Sequence, residues 1–335
     1  MRTFPTAFGL TPSQVRQVIR LAGMAPSLHN SQPWRFRITP HLIELHADPG
    51  RRLRAADPED RELWLACGAA LLNLRLALAH EGIRPVVSLL PPLGASTALA
   101  EVRSGGQGQP RPEEVRLHAA IPERHSHRQP FRDVPVATAD RHLLARAAQE
   151  EGTWFHVVQP GQQGALEGLV HRANRVQMAD NRFRAELAAW VGRGAGSTEG
   201  VPLAAAGPKP DPADQWVHRD FTAGQTERDP GTKFESHPLL VLLCTRTSDP
   251  AAELQAGQAL QRLWLTATAQ GLVASMISQV LEVRETREEV MDLLGGHATP
   301  QAMLRIGHGT TTAVAPRREP DDMVFDGVVE PHTGR

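Results

Sequence analysis

The chain has 335 residues, of which 41% are hydrophobic and 22% are charged. This length and composition predict a globular protein with one large or two modest cores, and they exclude an intrinsically disordered chain. The 36 basic and 37 acidic residues nearly cancel, which argues against nucleic acid as a partner because nucleic-acid binding favours a basic surface.

The cellular compartment is predicted from cysteine usage and from the lack of long apolar runs. Cys67 and Cys244 lie far apart in apolar stretches and are expected to be buried thiols in a reducing environment. We found no apolar run of the ~18 residues that a membrane helix needs, and residues 1–20 lack the apolar block of a signal peptide. The sequence therefore predicts a cytoplasmic protein without a membrane partner.

The first third of the chain predicts helices and strands in alternation. Thr11-Pro12-Ser13-Gln14 has the pattern of a capping box and opens a helix that ends before Pro26. Strands are predicted at Trp34–Thr39, Leu42–Ala47, Ile83–Leu90 and Leu99–Arg103, with a helix from Asp57 to about Glu81. That helix is apolar around most of its circumference, which predicts a central, buried position.

The remainder is predicted to form a second half. Gly105-Gly106-Gln107-Gly108 is expected to be a flexible joint, so we divide the chain into a first half, 1–108, and a second half, 109–335. Helices are predicted at 112–120, 140–151, 163–179, 183–191, 250–270 and 284–294, with strands at 153–159, 237–245, 272–277 and 302–306. The polar tail, 315–335, is expected to wrap the surface.

A long segment rich in glycine and proline, 192–236, interrupts the second half. A stretch of this length without regular structure is usually a functional lid or is disordered. Trp216, Phe221 and Phe234 favour a lid, because aromatic residues are depleted in disordered segments.

The two long helices match each other at an offset of 189 residues (257 − 68). The identical pairs are Gly68 with Gly257, Ala70 with Ala259, Leu71 with Leu260, Leu74 with Leu263, Leu76 with Leu265, and Gly82 with Gly271. The glycines would let two central helices cross closely. The repeat predicts a duplicated α+β unit, although apolar helices of low complexity can mimic such identities.

The loop from Pro26 to Trp34, here called the ring-edge loop, combines two prolines with the hydrogen-bonding side chains of Ser27, His29, Asn30 and Gln32. A stiff, polar loop can bind the edge of a flat ligand rich in nitrogen and oxygen; the alternative is a turn whose polar residues face water. Its pattern, Pro-Ser-x-x-Asn-x-Gln-Pro-Trp, resembles the flavin-contacting loop of the FMN-dependent nitroreductase family. The resemblance is narrower to the Acg-type branch, in which one chain carries two nitroreductase-like halves.

A second pattern of that family, Arg-x-Ser-x-Arg, occurs at Arg124, Ser126 and Arg128. The resemblance implies that these residues bind the FMN phosphate, and arginine suits that role because its planar guanidinium donates paired hydrogen bonds and keeps its charge. Without the resemblance, a solvated basic turn is the alternative. No metal site is predicted.

Each half therefore retains one component of the family's cofactor site. The resemblance implies an α+β fold of central antiparallel sheets flanked by helices, duplicated as a pseudo-dimer, with one composite FMN site and an empty opposite site. Further contacts are implied for the backbone of Leu281 and Glu282 at flavin nitrogen N5, for Arg262, and for Arg317 and Arg318 at the phosphate. For Arg262, a salt bridge to a local glutamate is the alternative. Trp216 and Phe221 are expected above the flavin.

The function implied by the resemblance is that of an oxidoreductase whose chemistry takes place on the flavin. NAD(P)H would deliver a hydride to N5, and a small-molecule electron acceptor, a nitro compound or a quinone, would then receive it. No catalytic side chain is predicted. The alternative is an FMN-sequestering protein whose lid covers the flavin and which turns over little. The expected assembly is a monomer or a loose homodimer.

Overall fold

A computed structural model of the chain describes residues 4–92, 97–194, 196–216, 219–229, 232–235, 237–310 and 312–326. Two antiparallel four-stranded sheets form its framework. The first contains β1 (Trp34–Thr39), β2 (Leu42–Ala47), β3 (Ile83–Leu89) and β4 (Ala100–Gln107), in the order β1-β2-β4-β3. The second contains β5 (Trp154–Val157), β8 (Leu239–Thr245), β9 (Val273–Met276) and β10 (Thr299–Gly307), in the order β5-β8-β10-β9. A parallel ribbon, β6 (Val191–Arg193) with β7 (Val201–Pro202), begins the lid.

Helices pack against these sheets, so the fold class is α+β as predicted. They are α1 (Pro12–Ala22), α2 (Arg61–His80), α3 (Pro112–Ala120), α4 (Thr138–Glu150), α5 (Pro160–Ala179), α6 (Asn181–Trp190), α7 (Pro250–Ala269), α8 (Gln279–Glu282), α9 (Arg284–Leu293) and α10 (Pro320–Met323). The Thr11 capping box forms at the start of α1. Nearly all of α2 is buried, as its apolar circumference predicts.

The central helices α2 and α7 cross at their two matched glycines. A Cβ atom on Gly68 would stand 2.1 Å from the carbonyl oxygen of Leu254, and one on Gly257 would stand 2.1 Å from that of Leu65. Neither position has room for a side chain, so the backbones touch directly. Each glycine thus faces a leucine carbonyl of the other helix. The sequence repeat predicts this symmetry for two helices that cross at a pseudo-twofold axis.

The two sheets also share one connectivity. Matching β1, β2, β4 and β3 with β5, β8, β10 and β9 gives the same strand order, and α2 and α7 then occupy the same place in each unit. A duplication is compatible with this topology and remains a prediction, as does the boundary at residue 108.

Three sequence expectations need correction. Gly105, Gly106 and Gln107 belong to β4, whose last residue pairs with Ile83, so these residues are not a flexible joint. The tail does more than wrap the surface, because Met323 is buried in the first core and accepts a hydrogen bond from Trp34 Nε1 at 3.3 Å. Contrary to the expectation that no apolar run is long enough to cross a membrane, α2 meets that test among the described residues. However, 89% of its 18-residue apolar stretch is buried inside the protein.

Both cysteines are buried, free thiols, as expected.

Candidate functional site

The ring-edge loop is not a water-facing turn. It contains a single turn of 3-10 helix, Leu28–Asn30, and the side chains of His29, Asn30 and Gln32 are buried. All three of these residues have positive φ angles, between 51° and 56°, a region that residues other than glycine seldom occupy. Strained, buried polar loops of this kind cluster at ligand sites.

The polar side chains of this loop form hydrogen bonds with the lid and with the tail of the chain. Asn30 Nδ2 donates to the carbonyl oxygens of Gly200 and Pro316, at 2.9 and 3.0 Å. Gln32 Nε2 donates to the Thr198 carbonyl at 2.8 Å, and its Oε1 accepts from the Arg318 N–H at 2.9 Å. Asn30 Nδ2 and the side-chain amide of Gln32 therefore contact other parts of the protein, which corrects the expectation that they contact flavin. Asn30 Oδ1 and His29 Nδ1 are buried and have no hydrogen-bond partner.

Three arginines lie beside the loop, Arg124 buried and Arg128 and Arg317 half-buried; we call them the arginine cluster. The Ser126 segment that carries two of them is aligned by a β-bridge to Ala274, next to the start of β9. Their guanidinium groups donate only to backbone carbonyls: Arg124 to Met24, Arg128 to Ala205, and Arg317 to residues 25, 315 and 316. No carboxylate of the described residues lies within ion-pair distance of any of the three.

The electrostatics of the arginine cluster call for an anion. Burial lowers the pKa of Arg128 and of Arg317 to about 10. Burial also lowers the pKa of Arg124 well below its ordinary value, and the charge of Arg317 lowers the pKa of both Arg124 and Arg128. Arg124 Nε and one of its terminal nitrogens, together with Arg317 Nε, are buried without acceptors. Buried cations are expensive unless they are paired. The donor set therefore fits a phosphate group.

A cavity of about 30 Å³ joins the two predicted components. Its lining includes Pro26, Ser27 and Asn30 of the ring-edge loop together with Ser126, Arg128 and Arg317. The loop of the first half and the basic pattern of the second half thus lie at one place. Arg318 is not part of this lining; it donates to the carbonyl oxygens of Gln32 and Trp34, which corrects its assignment to the phosphate.

The lid fills the adjoining space. A second cavity of about 40 Å³ lies between Arg128, the segment Ser275–Gln279, and the lid residues Trp216, Arg219 and Phe221. The Phe221 ring covers the Arg128 guanidinium at 4.4 Å and meets His29 edge-on at 6.3 Å. Trp216 and Phe221 therefore lie where the sequence places the walls of the site.

Arg219 also belongs to this site, although no sequence pattern singles it out. It donates to both carboxylate oxygens of Glu282, at 3.1 and 2.7 Å, and to Gln177 Oε1 at 2.9 Å. It also approaches His29 Nε2 and Ser278 Oγ, each at 3.4 Å. Because arginine only donates, this contact favours a neutral His29, and burial followed by the Arg219 charge lowers the pKa of His29 to about 3.

The assignment of Leu281 and Glu282 to flavin N5 needs correction. Their backbone N–H groups both donate to the Ser278 carbonyl, at 2.9 and 3.0 Å, and are not directed at the cavity. Ser278 and Gln279 line the cavity instead.

Arg262 lies in a different environment. It forms ion pairs with Glu113, Glu150 and Glu151, at 3.1, 3.2 and 2.8 Å. The salt-bridge alternative is therefore the correct one, and Arg262 is not a residue of the candidate site.

The hydrogen-bond donors of the site suit a phosphate group, but its cavities are too small for a whole FMN molecule. Ligand pockets usually measure about 300–1,000 Å³, whereas the two cavities measure about 30 and 40 Å³. The Phe221 ring and neighbouring lid side chains must move for a tricyclic ring to enter. Among the described residues, no group of three His, Cys, Asp or Glu side chains is placed to hold a metal ion.

Comparisons with known proteins give consistent similarities. The sequence profile described as "Nitroreductase: Nitroreductase family" matches residues 210–308. The Mycobacterium tuberculosis protein named "Putative NAD(P)H nitroreductase Rv3131" is 35% identical over 317 residues, which cover 92% of this chain and 90% of that protein. The M. tuberculosis protein "Putative NAD(P)H nitroreductase acg" is 30% identical over 94% of this chain and 96% of its own length. A solved Bacteroides fragilis nitroreductase with bound FMN is 15% identical, with a TM-score of 0.37, over 65% of this chain and 96% of that one.

Proposed function

The chain belongs to the nitroreductase family, and we propose from that premise that it is an FMN-binding oxidoreductase. It takes hydride from NAD(P)H and passes it to a nitro compound or a quinone. The observation that supports this most directly is the arginine cluster: three guanidinium groups, none paired with a described carboxylate, beside the strained ring-edge loop.

The residues divide the binding of FMN between them. Arg128 and Arg317 would contact the phosphate in the cavity, with Ser126 as an additional donor there. Arg124 does not line the cavity, and its buried guanidinium group would add positive charge behind it. Ser278 and Gln279 would form the floor under the ring, and Trp216 and Phe221 its roof. When bound, FMN would supply the redox chemistry, with hydride arriving at and leaving from ring nitrogen N5. The protein's part is to orient the ring and to exclude water.

An absorption spectrum followed by anaerobic addition of NADPH tests this function. We expect the purified chain, supplied with FMN and then desalted, to retain a flavin band that bleaches within seconds and returns when a quinone is added. A chain that retains no flavin under these conditions would overturn the proposal.

A second function, FMN sequestration with little turnover, is favoured by the packing of the lid. Arg219 is held by Glu282 and Gln177, and Phe221 covers Arg128, so no space for a nicotinamide ring is open above the cavity. Under this function NADPH leaves the flavin band unchanged, whereas dithionite, which is small, removes it.

Phe221→Ala separates the two functions. The substitution removes the ring that covers Arg128 and opens the roof of the cavity. A sequestering protein should begin to bleach with NADPH when Phe221 is truncated, whereas an enzyme that already opens its lid should change by only a few-fold. Trp154→Ala, which removes an exposed aromatic ring on β5 that lines neither cavity, serves as the control.

A further inference from the structure

A layer of buried acidic side chains lies directly behind the cavity floor. Asp57 and Glu62 flank the start of α2, and Glu282 ends α8. Arg61 NH1 donates to the Leu281 carbonyl at 3.3 Å, which fixes the start of α2 against α8 and so brings Glu62 towards Glu282. All three carboxyl groups are buried.

Among the described residues, one of these three carboxyl groups forms an ion pair. Glu282 is paired with Arg219 at 2.7 Å and also accepts from Gln177 Nε2 at 2.6 Å. Asp57 accepts the Leu63 N–H at 2.9 Å, and neither Asp57 nor Glu62 forms an ion pair with any described residue. The nearby Arg61 is directed to Glu253, at 3.4 Å, and to Gln301.

The arrangement forces a proton into the layer. Burial raises the pKa of Glu62 well above its ordinary value, and the charges of Glu282 and Asp57 raise it further against the opposing effect of Arg61 and Arg219. Burial would also raise the pKa of Glu282, but Arg219 outweighs it and the pKa of Glu282 is lowered. Of the facing pair, Glu62 therefore keeps the proton and Glu282 is the carboxylate.

Ser278 connects this pair to the cavity. Its hydroxyl donates to Glu282, accepts from Arg219 NH1 at 3.4 Å, and lines the cavity below Trp216 and Phe221. The segment from Ser278 to Glu282 thus contacts the candidate site through Ser278 and the start of α2, which carries Glu62, through the Leu281 carbonyl.

We propose that Glu62 is the proton reserve of the site and delivers its proton, through Glu282 and Ser278, to the electron acceptor reduced there. This inference rests on the proposed function. Reduction of a quinone to a hydroquinone needs one hydride and one proton: the hydride, with its two electrons, comes from the reduced cofactor. The O–H bond of Glu62 breaks, and its proton passes to the Glu282 carboxylate. The Ser278 hydroxyl gives its proton to the quinone oxygen and takes a replacement from Glu282. Solvent then re-protonates Glu62.

Infrared spectroscopy of the cofactor-free chain tests the reserve without any turnover. A protonated carboxyl group gives a carbonyl band that is distinct from that of a carboxylate and shifts in D₂O. We expect such a band at pH 8.5, above the Asp57 pKa of about 7, and we expect Glu62→Gln to abolish it. Glu44→Gln, at a buried glutamate paired with Arg37, should leave the band unchanged. A band that survives Glu62→Gln would overturn the proposal.

Single-turnover kinetics of the FMN-loaded chain test delivery. Glu62→Gln is expected to slow re-oxidation by a quinone by about 100-fold, the range of general acid catalysis, while reduction by NADPH stays within two- to three-fold of the parent, about the scatter between preparations. Equal rates of re-oxidation in parent and variant would refute delivery. Glutamine is a neutral isostere of the protonated acid, so the variant should fold; Glu62→Asp, which keeps a carboxyl group, is the second variant.

The two arms separate failure of this inference from failure of the proposed function. If the chain retains no FMN, the proposed function falls and delivery falls with it, while the infrared band still decides whether Glu62 holds the proton. If FMN binds and turns over but Glu62→Gln changes neither the band nor re-oxidation, the function stands and the reserve is rejected.

Discussion

Two groups of buried and half-buried arginines differ in their partners. In the arginine cluster, Arg124, Arg128 and Arg317 contact carbonyl oxygens and no described carboxylate. In the paired group, Arg262 forms ion pairs with three glutamates and Arg75 with one of the same three, Glu151.

The repeat between α2 and α7 allows the two groups of arginines to be compared at matched positions. At the offset of 189 residues, Trp264 of α7 corresponds to Arg75 of α2 (264 − 75). Arg124 lies over the Trp264 ring at 4.9 Å, whereas Arg75 forms an ion pair with Glu151 at 2.8 Å. An arginine of the paired group thus stabilises the fold where the chain supplies its anion, whereas the arginine cluster, by our proposal, binds an anion from outside the chain.

The largest effect is expected in the paired group. Arg262→Met leaves three glutamates without their shared cation, and breaking a buried pair in this way costs about 3–5 kcal/mol. Chemical denaturation should show that loss at pH 7. Arg124→Met, which removes an unpaired cation from the cofactor-free chain, should leave the free energy of unfolding unchanged or raise it. A similar loss in both variants would erase the distinction.

Affinity for FMN should show the reverse. Arg124→Met and Arg128→Met each remove charge-assisted hydrogen bonds worth about 1.5–3 kcal/mol, so the Kd should rise about 10–100-fold. Fluorescence quenching of FMN would measure it. Arg103→Met removes an exposed arginine from the first sheet and should leave the Kd unchanged; an equal effect there would point to nonspecific electrostatics.

Binding of FMN at the arginine cluster should stabilise the folded chain. FMN at 100 times its Kd should raise the free energy of unfolding by about 2.7 kcal/mol, and the increase should fall to about 0.4–1.4 kcal/mol in Arg124→Met at the same concentration, because its Kd is expected to be 10–100-fold higher. Thermal unfolding with and without FMN measures this. Riboflavin, which lacks the phosphate, is the matched ligand control and should stabilise the parent much less.

The smallest effect concerns pH. FMN binds the charged arginines, and the pKa of Arg128 and of Arg317 in the free chain is about 10. Affinity should therefore fall as the pH rises through 10, because the free protein must then take up protons in order to bind. Titrations of FMN across that range would show the decline, and an affinity that rises with pH would contradict it.

Much of the framework follows from the sequence because it depends on local rules. The capping box at Thr11, the apolar circumference of α2 and the alternating strands each predict their elements within a few residues. The glycine pair predicts the close approach of the two central helices. Arg-x-Ser-x-Arg was recognised as a site because the pattern is specific, and the structure places it next to the ring-edge loop.

The errors arise where distant segments meet. Asn30 and Gln32 were expected at a ring edge, but their partners belong to residues 198–200 and 316–318, and no local pattern reveals such contacts. Nothing in the sequence around Arg219 distinguishes it from a solvated residue. One signal was available for Glu62: a charged pair, Arg61-Glu62, opens a helix expected to be buried all round, and buried charges require explanation.

The crossing of Gly68 and Gly257 has a consequence for how the site assembles. Residues from both sides of that crossing line the cavity, as they do when two separate subunits build a shared site. Here the partner is tethered through the segment between β4 and the arginine cluster, so its effective concentration is fixed by the chain and not by the amount of protein present. Dilution that would separate two subunits leaves this cavity intact, and the capacity to bind should not depend on expression level.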